Sequence, residues 1–182
     1  MKKVCVFLAD GFEEIEGLTV VDILRRAGVE TETVSVMGRK QINGSHGIIV
    51  EADKVFEEAD IADADMLVLP GGMPGTLNLK AHEGLREQIL SFNSQGKYLA
   101  AICAAPTVLS ELGILKGKKA CAYPSFEEEL DCGEVLKVPA VTDGNITTGR
   151  GMGAAIPFAL RLAAILCGDE KAEEIRKSVV YE

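Results

Sequence analysis

The stretch that decides the fold is residues 3–37, KVCVFLADGFEEIEGLTVVDILRRAGVETETVSVM. Its two ends, KVCVFL at 3–8 and ETETVSVM at 30–37, are short runs rich in β-branched residues, which is typical of strands. The segment between them, 13–28, has apolar residues at helical spacing and ends at a glycine. A strand, a helix and a strand in this order predict a βαβ unit, and therefore a parallel sheet.

The rest of the chain continues this alternation. Further strands are predicted at 65–70, 97–103, 118–123, 134–142 and 145–148, a hairpin around Asn43-Gly44, and helices at 80–95, 104–112, 152–167 and 169–177. The strand at 97–103 is the most apolar, so we expect it in the middle of the sheet. These elements predict an α/β fold, a sandwich with helices on both faces of a mostly parallel central sheet. Because 47% of the residues are hydrophobic and no Pro/Ser-rich stretch interrupts them, we expect residues 1–182 to form a single domain.

Charge and cysteine content exclude several classes of protein. The chain has 28 acidic and 19 basic residues, and its net charge of -9 repels a phosphate backbone, so no nucleic-acid partner is expected. Five cysteines without a CxxC pair indicate reduced thiols and a cytoplasmic protein. Asp10 interrupts the first apolar run, and the longest apolar stretch, 154–166, contains Arg161, so we expect neither a signal peptide nor a membrane segment.

Cys103 is the first candidate for chemistry, because it follows a strand and precedes a helix. Its small neighbours, in Ala-Ala-Ile-Cys-Ala-Ala-Pro, allow a tight turn from which the side chain projects, as in a nucleophile elbow. A helix N-terminus would favour the thiolate and lower the pKa of the thiol. The alternative is a small core residue, the usual place of a free cysteine, and the local sequence leaves both interpretations open.

The other four cysteines give no comparable signal. Cys5, inside a strand, and Cys167, at the end of an apolar helix, are expected to be inert packing residues. Cys121 and Cys132 fit no metal-binding spacing, and only His46 and His82 could assist them, so no metal site is predicted.

Glutamates follow the first strand, and one of them is a candidate partner for Cys103. Glu16 lies on an otherwise apolar helix opening, where it can turn inward, whereas we expect Glu13 and Glu14 to face solvent and stabilise the helix dipole. The alternative is that Glu16, like Glu13 and Glu14, faces solvent and stabilises the helix dipole. An inward Glu16 beside a thiolate would be protonated, since two anions at close range are not both favoured, and it could then act as acid and base.

Two glycine-containing turns complete the candidate site. Gly71-Gly72, after the strand at 65–70, allows close approach of the backbone, and an N–H there could hold an oxyanion together with the N–H of Ala104. A plain tight turn is the alternative. The stretch Gly149-Arg150-Gly151-Met152-Gly153 superficially resembles a phosphate-binding turn, but no acidic residue ends a later strand, so we interpret it as a packing turn that brings Arg150 near the site.

Five segments in this order resemble the ThiJ/PfpI superfamily, and in particular the branch that contains the Parkinson-associated protein deglycase and bacterial YajL. The resemblance covers essentially the whole chain. The segments are ADGFEEIE at 9–16, VDILRRAG at 21–28, VLPGG at 68–72, AAICAAPT at 100–107 and TGRG at 148–151.

This resemblance implies a flavodoxin-like α/β sandwich that forms a homodimer. It also implies that Cys103 is the nucleophile and oxidation-sensitive thiol, with Glu16 as its protonated partner. Gly72 and Ala104 match the backbone donors of the family.

The sequence departs from the family pattern at three positions. Ala104 directly follows the cysteine, where the peptidase-like branch has a histidine, and Tyr123 stands before Pro124, where many close relatives have a histidine. His46 takes the place of an arginine near the dimer interface. Arg26, His46 and Arg150 are therefore candidates for anion or dimer-interface contacts, and no Cys-His dyad is evident.

Two functions use the same pair of residues. In the first, the protein is a glyoxalase or deglycase that acts on α-oxoaldehydes such as methylglyoxal and glyoxal, or on their early adducts with proteins, without a cofactor or metal. In the second, Cys103 is an oxidative-stress sensor with a chaperone or signalling output. A third interpretation, an amidase or peptidase, needs a histidine base that the motifs do not provide.

Overall fold

The computed structural model describes all residues from 1 to 182. In chain order the strands are β1 (Lys3–Leu8), β2 (Glu30–Ser35), β3 (Gln41–Asn43), β4 (Ile49–Glu51), β5 (Lys54–Val55), β6 (Met66–Leu69), β7 (Tyr98–Ile102), β8 (Lys119–Ala120), β9 (Glu134–Val135), β10 (Ala140–Asp143) and β11 (Ile146–Gly149). The helices are α1 (Glu14–Arg26), α2 (Gly75–Ala81), α3 (Glu83–Ser94), α4 (Pro106–Glu111), α5 (Ala155–Cys167) and α6 (Asp169–Ser178).

The main sheet has seven strands in the order β10-β11-β7-β6-β1-β2-β5. All neighbouring strands in it pair in parallel except β10 and β11, which form an antiparallel edge. The predicted βαβ opening and the mostly parallel sheet are therefore confirmed. Two small two-stranded sheets lie outside it, and one of them, β3 with β4, is the hairpin predicted around Asn43-Gly44.

Alternating side chains of the buried strands enter two hydrophobic cores, one on each face of the sheet. Along β1, Val4, Val6 and Leu8 pack into the core beneath α1, α5 and α6, whereas Cys5 and Phe7 pack into the core beneath α2, α3 and α4. This follows from the strand period of two, which sends successive side chains to opposite faces. The helices on both faces confirm the predicted sandwich. Because one sheet serves both cores, we keep the proposal that residues 1–182 form one domain.

The structure differs from the predicted elements in four places, the first of which is the strand expected at 118–123: only β8 (Lys119–Ala120) forms there, and it pairs with β9 outside the main sheet. The helix expected at 80–95 is two helices, because the extended backbone of His82 ends α2 and its ring caps α3 by accepting a hydrogen bond from the N–H of Leu85 at 3.1 Å. The strand expected at 134–142 is divided into β9, which pairs with β8 in a small separate sheet, and β10, which pairs with β11 at the edge of the main sheet. The middle strand is β6, and β7 lies beside it.

No helix of the structure combines the length and the hydropathy that a bilayer crossing would require.

Candidate functional site

The loops after β1, β6 and β7 meet at the carboxyl ends of these neighbouring strands. Gly71, which follows β6, lies between the two candidate residues: a Cβ added to it would stand 2.6 Å from Cys103 Cβ and 2.7 Å from Glu16 Oε2. The sequence predicted that these strand ends converge, and the structure brings the residues together. Only glycine fits at position 71, because any side chain would displace the cysteine, the glutamate or both.

Cys103 occupies a strained turn between β7 and α4. Its φ of 65° lies in the left-handed region, which residues with a side chain rarely adopt. Two backbone hydrogen bonds hold this conformation: the Cys103 N–H donates to the Gly149 carbonyl at 3.0 Å, and the Cys103 carbonyl accepts from the Tyr123 N–H at 2.9 Å. The half-buried side chain thus projects from a sharp strand-to-helix turn, which is the geometry that the small neighbouring residues predict.

Glu16 turns inward from the first turn of α1 and is almost completely buried. The N–H of Gly71 donates to its Oε2 at 2.9 Å, while its Oε1 is buried without a well-formed hydrogen bond. Burial raises the pKa of Glu16 to about 7, although the Cys103 thiol and the Gly71 N–H act in the opposite direction. This carboxyl can therefore carry a proton at neutral pH, unlike an exposed glutamate.

The structure corrects the expectation that the pKa of the Cys103 thiol is lowered. Burial, followed by the charge of Glu16 and its hydrogen bond, raises the pKa of Cys103 to about 12, and α4 is a helix of only six residues. The N–H groups of Ala104 and Gly72 act at the sulfur in the opposite direction, since they stabilise a negative charge there. A proton kept on Glu16 removes the repulsion between the carboxylate and the thiolate. Whether Cys103 becomes a thiolate therefore depends on the protonation state of Glu16.

The two predicted backbone donors, Gly72 and Ala104, both lie at the sulfur. Gly72 has a φ of 91°, and a Cβ on it would lie 2.3 Å from the backbone nitrogen of Glu13, so this position also requires glycine. A thiolate, or an oxyanion attached to the same sulfur, would accept hydrogen bonds from these groups.

Glu14 is not on the surface, which corrects the sequence prediction, and Glu13 is only partly exposed. The Glu14 carboxylate lies inside the loop between β3 and β4, where it accepts hydrogen bonds from the N–H groups of His46 at 2.8 Å and Ile48 at 3.4 Å. Burial opposes ionisation, but these bonds outweigh it and lower the pKa of Glu14 to about 2. No local signal distinguishes Glu14 from Glu13, because the loop that encloses it is distant in sequence.

His46 lies beside these glutamates, with its Nδ1 3.1 Å from Glu14 Oε2 and 3.5 Å from Glu13 Oε2. The hydrogen bond to Glu14 and the charges of both glutamates raise the pKa of His46. Ligand atoms of the three residues fall within 4.8 Å of one another, a spacing that could hold a metal ion. The Glu14 oxygens, however, already accept the hydrogen bonds that anchor the loop.

Neither histidine pairs with Cys103. His46 contacts the glutamates, and the His82 ring lies 4.4 Å from the Phe56 ring while its Nδ1 caps α3. Tyr123, which stands where close relatives have a histidine, contributes its backbone N–H to Cys103. The structure therefore contains no Cys-His dyad.

Arg26 and Cys167 lie away from the Cys103–Glu16 pair, whereas Arg150 lies next to the Cys103 turn. Arg26 ends α1, about 15 Å along the helix from Glu16, and pairs with Asp22 at 2.8 Å. Cys167 is exposed rather than packed, because it is the last residue of α5. Arg150 follows Gly149 at the carboxyl end of β11, next to the Cys103 turn, and its guanidinium is 3.5 Å from Glu127 Oε1.

A cavity of about 490 Å³ opens beside the Cys103 turn. Tyr123 and Arg150 line it, and so do Lys137 and Tyr181, which the sequence analysis did not select. These residues come from four separate segments of the chain, so no local pattern could have indicated that they share a cavity.

Known proteins resemble this chain over nearly its full length. A model of the DJ-1/PfpI family matches residues 2–165. Protein dj-1beta of Drosophila melanogaster is 35% identical over 181 residues, which are 98% of this chain and 97% of that protein. The structure of the oxidized DJ-1 of Toxoplasma gondii has a TM-score of 0.96 and 36% identity, and the match covers 100% of this chain and 99% of that one.

Some relatives are longer than this chain. Protein DJ-1 homolog A of Arabidopsis thaliana is 37% identical over 177 residues, which are 96% of this chain but 45% of that protein. This chain therefore spans less than half the length of that relative.

Proposed function

The chain belongs to the DJ-1/PfpI family, and from this premise we propose that it is a cysteine-dependent glyoxalase or deglycase. Its substrates are α-oxoaldehydes such as methylglyoxal and glyoxal, or their early adducts with proteins, and it uses no cofactor. The observation that carries the proposal is the buried Glu16 carboxyl beside Cys103, with a pKa raised to about 7. A carboxyl that exchanges its proton near neutral pH is suited to general acid–base catalysis.

The first step is addition of the Cys103 sulfur to the aldehyde carbon. A carbon–sulfur bond forms, the C=O π bond breaks, and the oxygen takes the electron pair as an oxyanion. The N–H groups of Gly72 and Ala104, which lie at the sulfur, hold this oxyanion until Glu16 delivers its proton. The product is a hemithioacetal, and Glu16 is left as a carboxylate.

The second step moves a proton between neighbouring carbons. The Glu16 carboxylate removes the proton from the carbon bonded to sulfur, and the electron pair of that C–H bond forms the C=C bond of an enediol as the ketone oxygen takes up the proton of the hemithioacetal hydroxyl. Glu16 then returns its proton to the adjacent carbon, while the oxygen on the sulfur-bearing carbon forms the C=O bond of the thioester. The result is a thioester of a hydroxy acid. Water then hydrolyses this thioester, which releases lactate when the substrate is methylglyoxal and regenerates the Cys103 thiol.

Turnover of methylglyoxal by purified protein tests this function. We expect lactate from the wild type, none from Cys103→Ser, and a rate lower by about 10²–10⁴-fold for Glu16→Gln, which cannot exchange the proton. Cys132→Ser is the control, because it removes a half-buried thiol outside the site and should keep the wild-type rate. Equal inactivity of the wild type and the site variants would contradict the proposal.

A second candidate function is peroxide sensing by the same thiol. The similar protein from Toxoplasma gondii was solved in an oxidized form, which supports this alternative. The thiolate would attack one peroxide oxygen and break the O–O bond, giving sulfenic acid and a hydroxide that takes the Glu16 proton and leaves as water. A second peroxide would oxidise the sulfenic acid to a sulfinate, with release of another water. Glu16 and the N–H groups of Gly72 and Ala104 would stabilise the sulfinate oxygens, and a chaperone or signalling output would follow.

Mass spectrometry after mild peroxide treatment tests the sensor function. Cys103 should be oxidised before Cys167, although Cys167 is more exposed, and Glu16→Ala should reduce this preference. Oxidation of Cys121 or Cys132 with Cys103 untouched would rule the function out.

An amidase or peptidase is not supported, because the His46 ring pairs with Glu14 and the His82 ring caps α3, and neither hydrogen-bonds to Cys103. The compartment we propose is the cytoplasm, and the five unpaired cysteines support it.

A further inference from the structure

The cavity beside the Cys103 turn is much larger than methylglyoxal needs. Its volume of about 490 Å³ lies in the range of pockets that enclose larger organic ligands. Two of its lining residues adjoin the Cys103 turn: the Tyr123 N–H donates to the Cys103 carbonyl, and Arg150 follows Gly149, whose carbonyl accepts from the Cys103 N–H. A ligand in the cavity would therefore contact residues that adjoin the reactive turn, while Cys103 itself is not part of the lining.

Two cations, Arg150 and Lys137, line this cavity, and Glu127 is the single acidic side chain paired with either of them. The Arg150 guanidinium has five N–H donors, but its only side-chain acceptor is Glu127 Oε1 at 3.5 Å, and its Nε has no protein partner. Lys137 is exposed and forms no ion pair. On a chain with a net charge of -9, an incompletely neutralised pair of cations marks a local site for a negative group.

The rest of the lining is mostly apolar and aromatic. Pro139, Met152 and Pro157 offer apolar surface, and the Tyr123 and Tyr181 side chains add aromatic surface. Surfaces of this kind bury the apolar body of a ligand, while the few polar groups fix its orientation.

We propose that this cavity binds a small organic anion, a carboxylate or phosphate carried on an apolar body, through Arg150 and Lys137. A consequence, which rests on the proposed function, is that the cavity holds the anionic end of an α-oxoaldehyde substrate while the aldehyde group of that substrate reaches Cys103. The preferred substrates are then larger and more acidic than methylglyoxal. Arg150 is a specificity-determining residue in this scheme, because a planar guanidinium can bind carboxylate or phosphate through two parallel hydrogen bonds.

The test uses the Cys103→Ser variant, so that binding is measured without reaction. Phenylacetate and phenylacetamide are matched probes of nearly equal shape, and only the first is charged. Titrations followed by ¹⁵N NMR should show that phenylacetate binds about tenfold more tightly, with the largest shifts at the N–H groups of Gly151 and Gly153. Phenyl phosphate is a second probe, and the tighter of the two anions identifies the ligand group.

Substitution of the cations provides the matched controls. Arg150→Met should abolish the preference for phenylacetate, Lys137→Met should reduce it, and Lys40→Met, which removes an exposed lysine outside the cavity, should leave it unchanged. The proposal is overturned if both probes bind equally, if neither binds, or if the shifts lie elsewhere. A preference for the anion in a chain that fails to turn over methylglyoxal would confirm the cavity and refute only the reaction.

Discussion

Glu16 and Cys103 set each other's protonation at the scale of single residues. Glu16 is buried and Cys103 is half-buried, so each resists ionisation, and a charge on Glu16 makes it harder to ionise Cys103. The N–H groups of Gly72 and Ala104 favour the thiolate, and they are effective once Glu16 holds a proton. The reactive form of the pair is therefore a single-proton state in which the acid is neutral and the sulfur is charged.

The pKa of Glu16 has a consequence for stability. The folded state binds the proton more tightly than the unfolded chain, because the pKa rises from 4.5 to about 7 on folding. This contribution is fully present below pH 4.5 and is lost as the pH rises to about 7, a decrease on the order of 3 kcal/mol in the free energy of unfolding. Urea unfolding across this range should show the decrease in wild type and a flatter profile in Glu16→Gln.

Glu14→Gln is the control for that measurement, because the pKa of Glu14 is shifted downward to about 2. Its contribution is present above about pH 4.5 and is lost as the pH falls further, so this variant should keep the wild-type decrease between pH 4.5 and 7. Identical slopes in wild type and Glu16→Gln over that range would contradict the raised pKa.

At the scale of elements, the site depends on turns that bring neighbouring strand ends into contact. Gly71, which follows β6, lies so close to the end of β7 that a Cβ added to Gly71 would be 2.8 Å from the carbonyl oxygen of Ile102. The backbone there donates to Glu16, and the same turn supplies the Gly72 N–H. The distance between Cys103 and Glu16 thus depends on the absence of a side chain at Gly71.

Gly71→Ala tests this dependence. The new methyl group must displace Cys103, Glu16 or the backbone, so we expect a loss of about 1–3 kcal/mol in the free energy of unfolding. Methylglyoxal turnover should fall by about 10²-fold, because misplacement of reacting groups by about an ångström is enough for such a loss.

Gly153→Ala is the stability control for this substitution. A Cβ at position 153 meets no atom within 4 Å, so its free energy of unfolding should stay within about 0.5 kcal/mol of wild type. Equal effects of the two substitutions would show that the turn after β6 tolerates a side chain.

At the scale of the whole molecule, apolar residues remain exposed where α1 meets the loop between β3 and β4. Ile15 and Leu18 lie on α1, and Ile48 and Ile49 lie in or beside that loop, which Glu14 joins to the helix. Neighbouring exposed apolar side chains indicate an interaction surface. The family resemblance implies a homodimer, and we expect this surface to form its interface.

Light scattering after gel filtration tests the dimer. Wild type should have twice the 19.4 kDa mass of one chain, and Leu18→Asp should shift the mass toward the monomer, since it places a charge in an apolar interface. Leu90→Asp is the control, because Leu90 is similarly exposed but lies on α3. A monomeric wild type would refute the expectation.

The sequence alone determined the order and type of most elements, because strand and helix periods are local properties of a chain. It also predicted that Cys103, Glu16 and Gly71 would meet, since parallel strands place their carboxyl ends at one edge. Only the tertiary structure decided that Glu14 is buried, that the pKa of Cys103 is raised, and that Lys137 shares a cavity with Arg150. The physical reason is that desolvation and charge pairing depend on which distant segments pack around a group, and local sequence patterns carry little of that information.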